Sequence, residues 1–166
     1  PPVEAGPAAA PALSRSPAPS VEAPPAPAPQ SGALPAYAST QSEAEAIDDA
    51  RARARTAATL DELQAAFESF QGCNLRLTAR SLVFGNGAVD ADLMIVGEAP
   101  GREEDEAGVP FVGRSGRLLD RMLAAIGLER EAVRVTNTVP WRPPGNRSPT
   151  PAETEMCLPF TLRQIE

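Results

Sequence analysis

The 166 residues contain no histidine and no lysine. Without histidine the chain lacks the commonest general base at neutral pH and the commonest metal ligand. Without lysine every positive charge is an arginine, whose planar guanidinium suits bidentate phosphate contacts. Cysteine is scarce: Cys73 and Cys157 are the only two, far apart in the chain. Inside a cell such thiols are expected to be buried and inert rather than bridged. No window has the apolar length of a membrane-spanning helix, and no charged-then-apolar start resembles a secretion signal. The expectation is a cytoplasmic protein, and Pro1 in place of Met implies a translation start further upstream.

The net charge is −7, unevenly spread. Residues 1–70 hold 4 Arg and 9 acids, whereas residues 71–166 hold 11 Arg and 13 acids. A slightly acidic domain is excluded as a strong non-specific DNA binder, so any nucleic-acid contact must be local. Residues 1–40 are dominated by Pro, Ala and Ser. They cannot bury enough apolar surface to offset ordering entropy and read as a disordered linker. Residues 41–58, "QSEAEAIDDARARARTAA", have helix-forming composition but little apolar periodicity, and read as a charged helix or linker extension.

The domain itself is expected from residue 59 onward. Thr59 and Glu62 form a capping box, and Leu60, Leu63, Phe67 and Phe70 recur at helical spacing up to Gly72. A short strand, a turn at Gly85–Gly87 and a buried strand over Leu93–Val96 follow. Ser115 is placed to cap a helix from Gly116 to Ile126, with Leu118, Leu119, Met122, Leu123 and Ile126 as its apolar stripe and Gly127 as its stop. Residues 133–139 read as a second buried strand. Thr150 and Glu153 form another capping box with Pro151 at the first helical position, and Pro159 is expected to break or kink that helix.

This order predicts an α/β fold: three layers, α/β/α, around a short parallel sheet. Ligands in such folds bind at the carboxyl ends of strands. The loops 97–116 and 140–150 both lie there and should line one crevice. Two core strands make a very small sheet and the sequence stops within a helix, so the domain is expected to lack its C-terminal part.

That crevice would gather Glu98, Glu103, Glu104 and Asp105, with Phe111 on a Pro-Phe-Val turn. Asn137 would sit at a strand end, and Arg142, Asn146 and Arg147 on a proline-rich loop. An aromatic face, an amide and nearby carboxylates suit a flat heterocycle with imide-like edges. An arginine-bearing rigid loop suits a phosphate backbone. A carboxylate beside a sugar carbon can position water or stabilise an oxocarbenium-like centre. On the residues alone, bland roles stay open. The acids could be a solvated turn, Phe111 a core residue, Asn137 a strand terminator, and Arg142 and Arg147 ordinary surface groups.

The segments "GEAPGREED", "PFVGRSG", "VTNTV" and "RPPGNRSPTPAE" resemble those of family 4 uracil-DNA glycosylases, the iron–sulfur type of that superfamily, over roughly residues 67–166. The resemblance implies a uracil-DNA glycosylase of base-excision repair. Gly97, Glu98 and Ala99 would floor the uracil pocket, Phe111 would stack on the flipped base, and Asn137 would bond its imide edge. Glu98, with Glu104 as second candidate, would serve the attacking water or the sugar's positive charge. Arg142, Asn146 and Arg147 would meet the DNA strand.

Two departures from the family matter. Its 4Fe–4S cluster is held by four cysteines, whose positions here read Phe70, Cys73, Trp141 and Cys157. With half the thiolates replaced, no ordinary 4Fe–4S cluster is expected, the alternative being the family's cluster. The family's C-terminal His-Pro segment has no counterpart, so the 166 residues alone should be weak or inactive. Partners implied are uracil-containing DNA, no membrane, and no second copy of the chain, with the N-terminal tail a possible tether for another protein. The competing readings are a non-catalytic or covalently trapping uracil-DNA binder of the same fold and, less favoured, a nucleotide binder, for which the Gly-x-Gly-x-x-Gly spacing is missing.

Overall fold

The computed structural model describes residues 41–166; the Pro/Ala-rich segment lies outside the described residues. Helix α1 runs Glu43–Thr56, opened by a reciprocal cap in which Ser42 accepts from the Glu45 N–H and Glu45 reaches back to the Ser42 N–H. Hydropathy scarcely weights alanine, yet Ala46, Ala50 and Ala54, one helical turn apart, are the buried face of this charged helix. Small side chains let it lie close against α5 (Pro151–Ile165). Helix α2, Leu60–Glu68, starts at Thr59, whose hydroxyl accepts from the Glu62 N–H. The Glu62 carboxylate answers one residue further back, at the Ala58 N–H.

Three strands form a sheet of order β1-β3-β2: β1 Asn86–Gly87, β2 Met94–Gly97 and β3 Arg134–Asn137. Strands β2 and β3 are parallel, with Gly97 opposite Asn137, as the α/β order requires. The sheet is nevertheless mixed, because β1 pairs antiparallel to β3. The chain before β1 continues along the same edge of β3, with the Val83 N–H on the Pro140 carbonyl and the Thr136 hydroxyl on the Phe84 carbonyl. At Gly87, φ is +99° and an added Cβ would meet the Val133 carbonyl, so no other residue fits this pairing.

Helices cover both faces. One apolar cluster joins α1, α2 and α5 to Phe84, Val139 and Trp141. A second joins Leu123 to Val133 and Val135, flanked by Ile95, Phe111, Leu119 and Leu128. At the centre of the first, Phe67 and Phe160 stack at 3.9 Å with planes 9° apart, Trp141 stands edge-on to Phe67 at 5.1 Å, and Phe70 tilts against Phe160 at 5.4 Å.

Several boundaries differ from the sequence expectation. Only β3 is wholly buried. Strand β2 is an outer strand, so Leu93 and Val96 are exposed rather than enclosed. Helix α4 runs Arg114–Ala125 and is capped at Gly113, which leaves Ser115 inside the first turn. Of its expected stripe only Leu123 is buried, while Leu118, Met122 and Ile126 face outward. Helix α5 passes through Pro159 without interruption. Cys157 and Phe160 anchor it in the core on either side, which offsets the hydrogen bond that proline removes. Arg134, 9% exposed, lies 5.5 Å from the Phe84 ring centre and donates to Gln164; its Nε has no partner among the described residues, and burial lowers its pKa.

Candidate functional site

The parallel register sets the ends of β2 and β3 side by side, and Gly97 is the meeting point. A Cβ there would overlap the Asn137 Oδ1 and come within 2.8 Å of the Phe111 ring. A glycine is therefore what allows an amide from one strand end and an aromatic ring from the following loop to converge. The turn beyond Gly97 is pinned to β3's continuation. The Gly97 carbonyl accepts from the Thr138 N–H at 2.8 Å and its hydroxyl at 3.2 Å, and the Glu98 carbonyl accepts from the Val139 N–H at 3.0 Å.

Above this point opens a cleft of about 360 Å³, bounded by Glu98, Ala99, Glu104, Phe111, Asn137, Asn146 and Arg147. These expected residues share one site; Gly97 lies beneath it, and Arg142 stands outside its wall. The Arg142 Nε donates to the Asn146 Oδ1 at 2.6 Å, so its connection to the cleft runs through Asn146. Arg147 is held bidentately by Glu153 at 2.6 and 2.8 Å, which raises its pKa and orients it along the rim. Burial pushes the Glu153 pKa up, but Arg147 and the Thr150 cap bring it below the ordinary carboxylate value. Gly145 and Asn146 are consecutive left-handed residues that turn this loop toward the cleft.

Asn137 is 4% exposed, and its carboxamide has no hydrogen-bond partner among the described residues. The amide opens onto the cleft, so both its donor and its acceptor are available to a ligand. Phe111 has φ +54°, which for an L side chain costs on the order of 1–2 kcal/mol.

The acidic row divides by role. Asp105, 5% exposed, accepts from the Arg80 and Ser81 N–H groups and ties α3 (Arg102–Ala107) to that segment. Glu104 uses both oxygens on backbone: Oε2 accepts from Gly101, Oε1 from Val112 and Gly113. Glu103 is exposed, 4.0 Å from Arg117. Glu98 is the cleft carboxylate whose oxygens accept no hydrogen bond among the described residues. Sequence reasoning missed Arg130, which donates to the Pro110 and Phe111 carbonyls. Its only signal was a charged turn ahead of a strand.

Phe70, Cys73, Trp141 and Cys157 do come together in the first core cluster. The donor set does not fit an iron–sulfur cluster: two positions are apolar rings packed into the aromatic group, and both cysteines are completely enclosed. Burial pushes the Cys157 thiol well above its ordinary pKa, and its hydrogen bond to Cys73 lowers that of Cys73. Among the described residues no group of three or more His, Cys, Asp or Glu is placed to hold a metal ion.

Residues 84–166 match the family model of the uracil DNA glycosylase superfamily, and the chain belongs to that superfamily. Type-4 uracil-DNA glycosylase of Archaeoglobus fulgidus is 48% identical over 108 residues, 65% of this chain and 54% of that protein. The Type-4 enzyme of Thermotoga maritima is 49% identical over 94 residues, 57% and 49% of the two chains, and that of Pyrobaculum aerophilum 44% over 106, 64% and 54%. The chain thus spans about half the length of the curated relatives it matches.

Proposed function

We propose that this protein is a DNA glycosylase that hydrolyses the N-glycosidic bond of a flipped deoxyuridine, leaving an abasic site. The observation that carries the reading is the convergence at Gly97 of the Phe111 ring and an unpartnered Asn137 amide, beside the free Glu98 carboxylate. The everted base stacks on Phe111 while Asn137, donor and acceptor at once, reads the imide edge. As the bond to C1′ breaks, positive charge grows on the sugar. Glu98 stabilises that charge and orients the water that adds at C1′, while the electron pair leaves with the base and the proton lost by the water ends on the released uracil. Glu104, committed to three backbone donors, positions the loop. Asn146 and Arg147 approach the phosphate backbone locally, as the acidic overall charge demands.

The reaction needs no redox or metal step, and the aromatic filling at Phe70 and Trp141 supports a protein without the 4Fe–4S cluster. The described residues contain no helix long and apolar enough to cross a membrane; we place the protein in the cytoplasm, acting as a monomer. With no histidine to stabilise the departing uracil anion, the 166 residues alone excise slowly. Binding is therefore the primary test. The chain should retard a single-stranded oligonucleotide containing deoxyuridine more strongly than its deoxycytidine counterpart, which lacks the imide edge, and Asn137→Ala should erase the preference. Equal retardation of the two oligonucleotides by the unaltered chain would refute the reading. A band that survives denaturation would assign covalent trapping instead of hydrolysis.

A further inference from the structure

The backbone around Phe111 is gripped from three directions. Beneath it, Arg130 donates from Nη2 to the Pro110 carbonyl at 2.5 Å and from Nη1 to the Phe111 carbonyl at 3.1 Å. On the other side, Glu104 Oε1 accepts from the Val112 N–H at 3.1 Å and the Gly113 N–H at 2.8 Å. Against the same peptide lies Gly116, where an added Cβ would overlap the Phe111 carbonyl. Four consecutive residues, 110–113, thus give two carbonyls to a cation and two N–H groups to an anion. Phe111, with its positive φ, is at the centre of that segment.

A left-handed phenylalanine persists only where its surroundings over-determine it. Here charge-assisted hydrogen bonds supply the constraint, and they are the strong kind. The Arg130 side chain is 17% exposed and is additionally oriented by Asp120 at 3.0 Å. Glu104 is also joined to the Gly101 N–H, so the loop that carries Glu98 and the turn that carries Phe111 are fastened to one carboxylate.

We infer that Arg130 and Glu104 are positioning residues that lock Phe111 in its left-handed conformation and so fix the ring plane onto which the base must stack. Neither side chain needs to touch the substrate. Their effect on base recognition passes through the Phe111 peptide, and the inference rests on the proposed uracil-binding reading of the cleft only for that last step.

The test uses the full chain labelled with 4-fluorophenylalanine, which gives five fluorine resonances for the five phenylalanines. The Phe111 line is assigned by its loss in Phe111→Leu. In the unaltered chain it should be a single sharp line that shifts when a deoxyuridine-containing oligonucleotide is added. Arg130→Met should broaden or displace that line alone, with the other four in place, and should raise the apparent dissociation constant for the oligonucleotide about tenfold. Asp120→Asn keeps both carbonyl contacts and should leave the line where it is. A sharp, unshifted Phe111 line in Arg130→Met overturns the inference. Should Arg130→Met collapse all five lines, Arg130→Lys, which reaches one carbonyl and not two, carries the test by the same criterion. If the Phe111 line of the unaltered chain ignores the oligonucleotide yet moves in the arginine variants, the lock stands and the uracil reading fails.

Discussion

Truncating Phe160 to alanine tests the aromatic packing that encloses Phe70 and Trp141. Phe160 is fully enclosed and stacked on Phe67, with Phe70 tilted against its ring, so it joins α5 to α2 and to the segment that follows. Phe→Ala in a core costs about 3–5 kcal/mol, of which an aromatic pair accounts for roughly 0.5–1.5 kcal/mol. We expect a loss near 4 kcal/mol here, because a stack held by helices on two sides cannot collapse to fill the void. With a urea slope of about 2 kcal/mol per molar, the unfolding midpoint should fall by about 2 M. The protein carries its own reporter, since Trp141 is the single tryptophan and stands edge-on to Phe67 in the same group. Equilibrium unfolding followed by its fluorescence measures the shift directly. Phe160→Leu, which retains most of the volume, should lose about 1 kcal/mol. A midpoint change below about 0.5 M for Phe160→Ala would show that the ring cluster does not hold these elements together.

Other outcomes follow from the same structure. Anaerobically purified protein should show no visible iron–sulfur absorbance, and stoichiometric iron would overturn the reading of Phe70 and Trp141 as packing. Asn137→Ala should weaken uracil-oligonucleotide binding about tenfold or more while shifting the unfolding midpoint little, because the amide has no protein partner to lose. Gly97→Ala should weaken the same binding at least as much, measured by gel retardation, because the new methyl group displaces both Asn137 and Phe111. The Glu153 carboxyl is depressed in the folded state, so its stabilising contribution is present above the unfolded carboxylate range, near 4.3, and is lost as pH falls through the lower folded value. Acid titration of Glu153→Gln should accordingly show a smaller drop in stability over that interval than the unaltered chain.

The parts of the fold written in local chemistry were legible. Thr59 and Thr150 announced two helix starts through side chains that bond the next turn, and the α/β order predicted the parallel pairing of β2 and β3. The route before β1 was not, because its pairing with β3 depends on residues fifty positions away, such as the Thr136 hydroxyl on the Phe84 carbonyl. Ser115 misled because a carboxylate at Glu104, not a hydroxyl in sequence, satisfies the backbone where α4 begins. The alanine face of α1 escaped a hydropathy pattern since it is small rather than strongly apolar. For the cleft, motif spacing could name Phe111, Asn137 and Glu98 together. It ranked Glu98 ahead of Glu104 without access to the physical difference, which is that the backbone has already claimed Glu104.

The outer margin of β2 has a further physical meaning. Strand pairing fills only the side toward β3, and among the described residues no strand lies on the other. Unfinished sheet borders recruit backbone from whatever extended peptide is nearby, and neighbouring Leu93 and Val96 make this border oily as well as open. The seam next to the cleft is therefore where crowded solutions of these residues would begin to cohere, and where a lysine or proline would act as a guard.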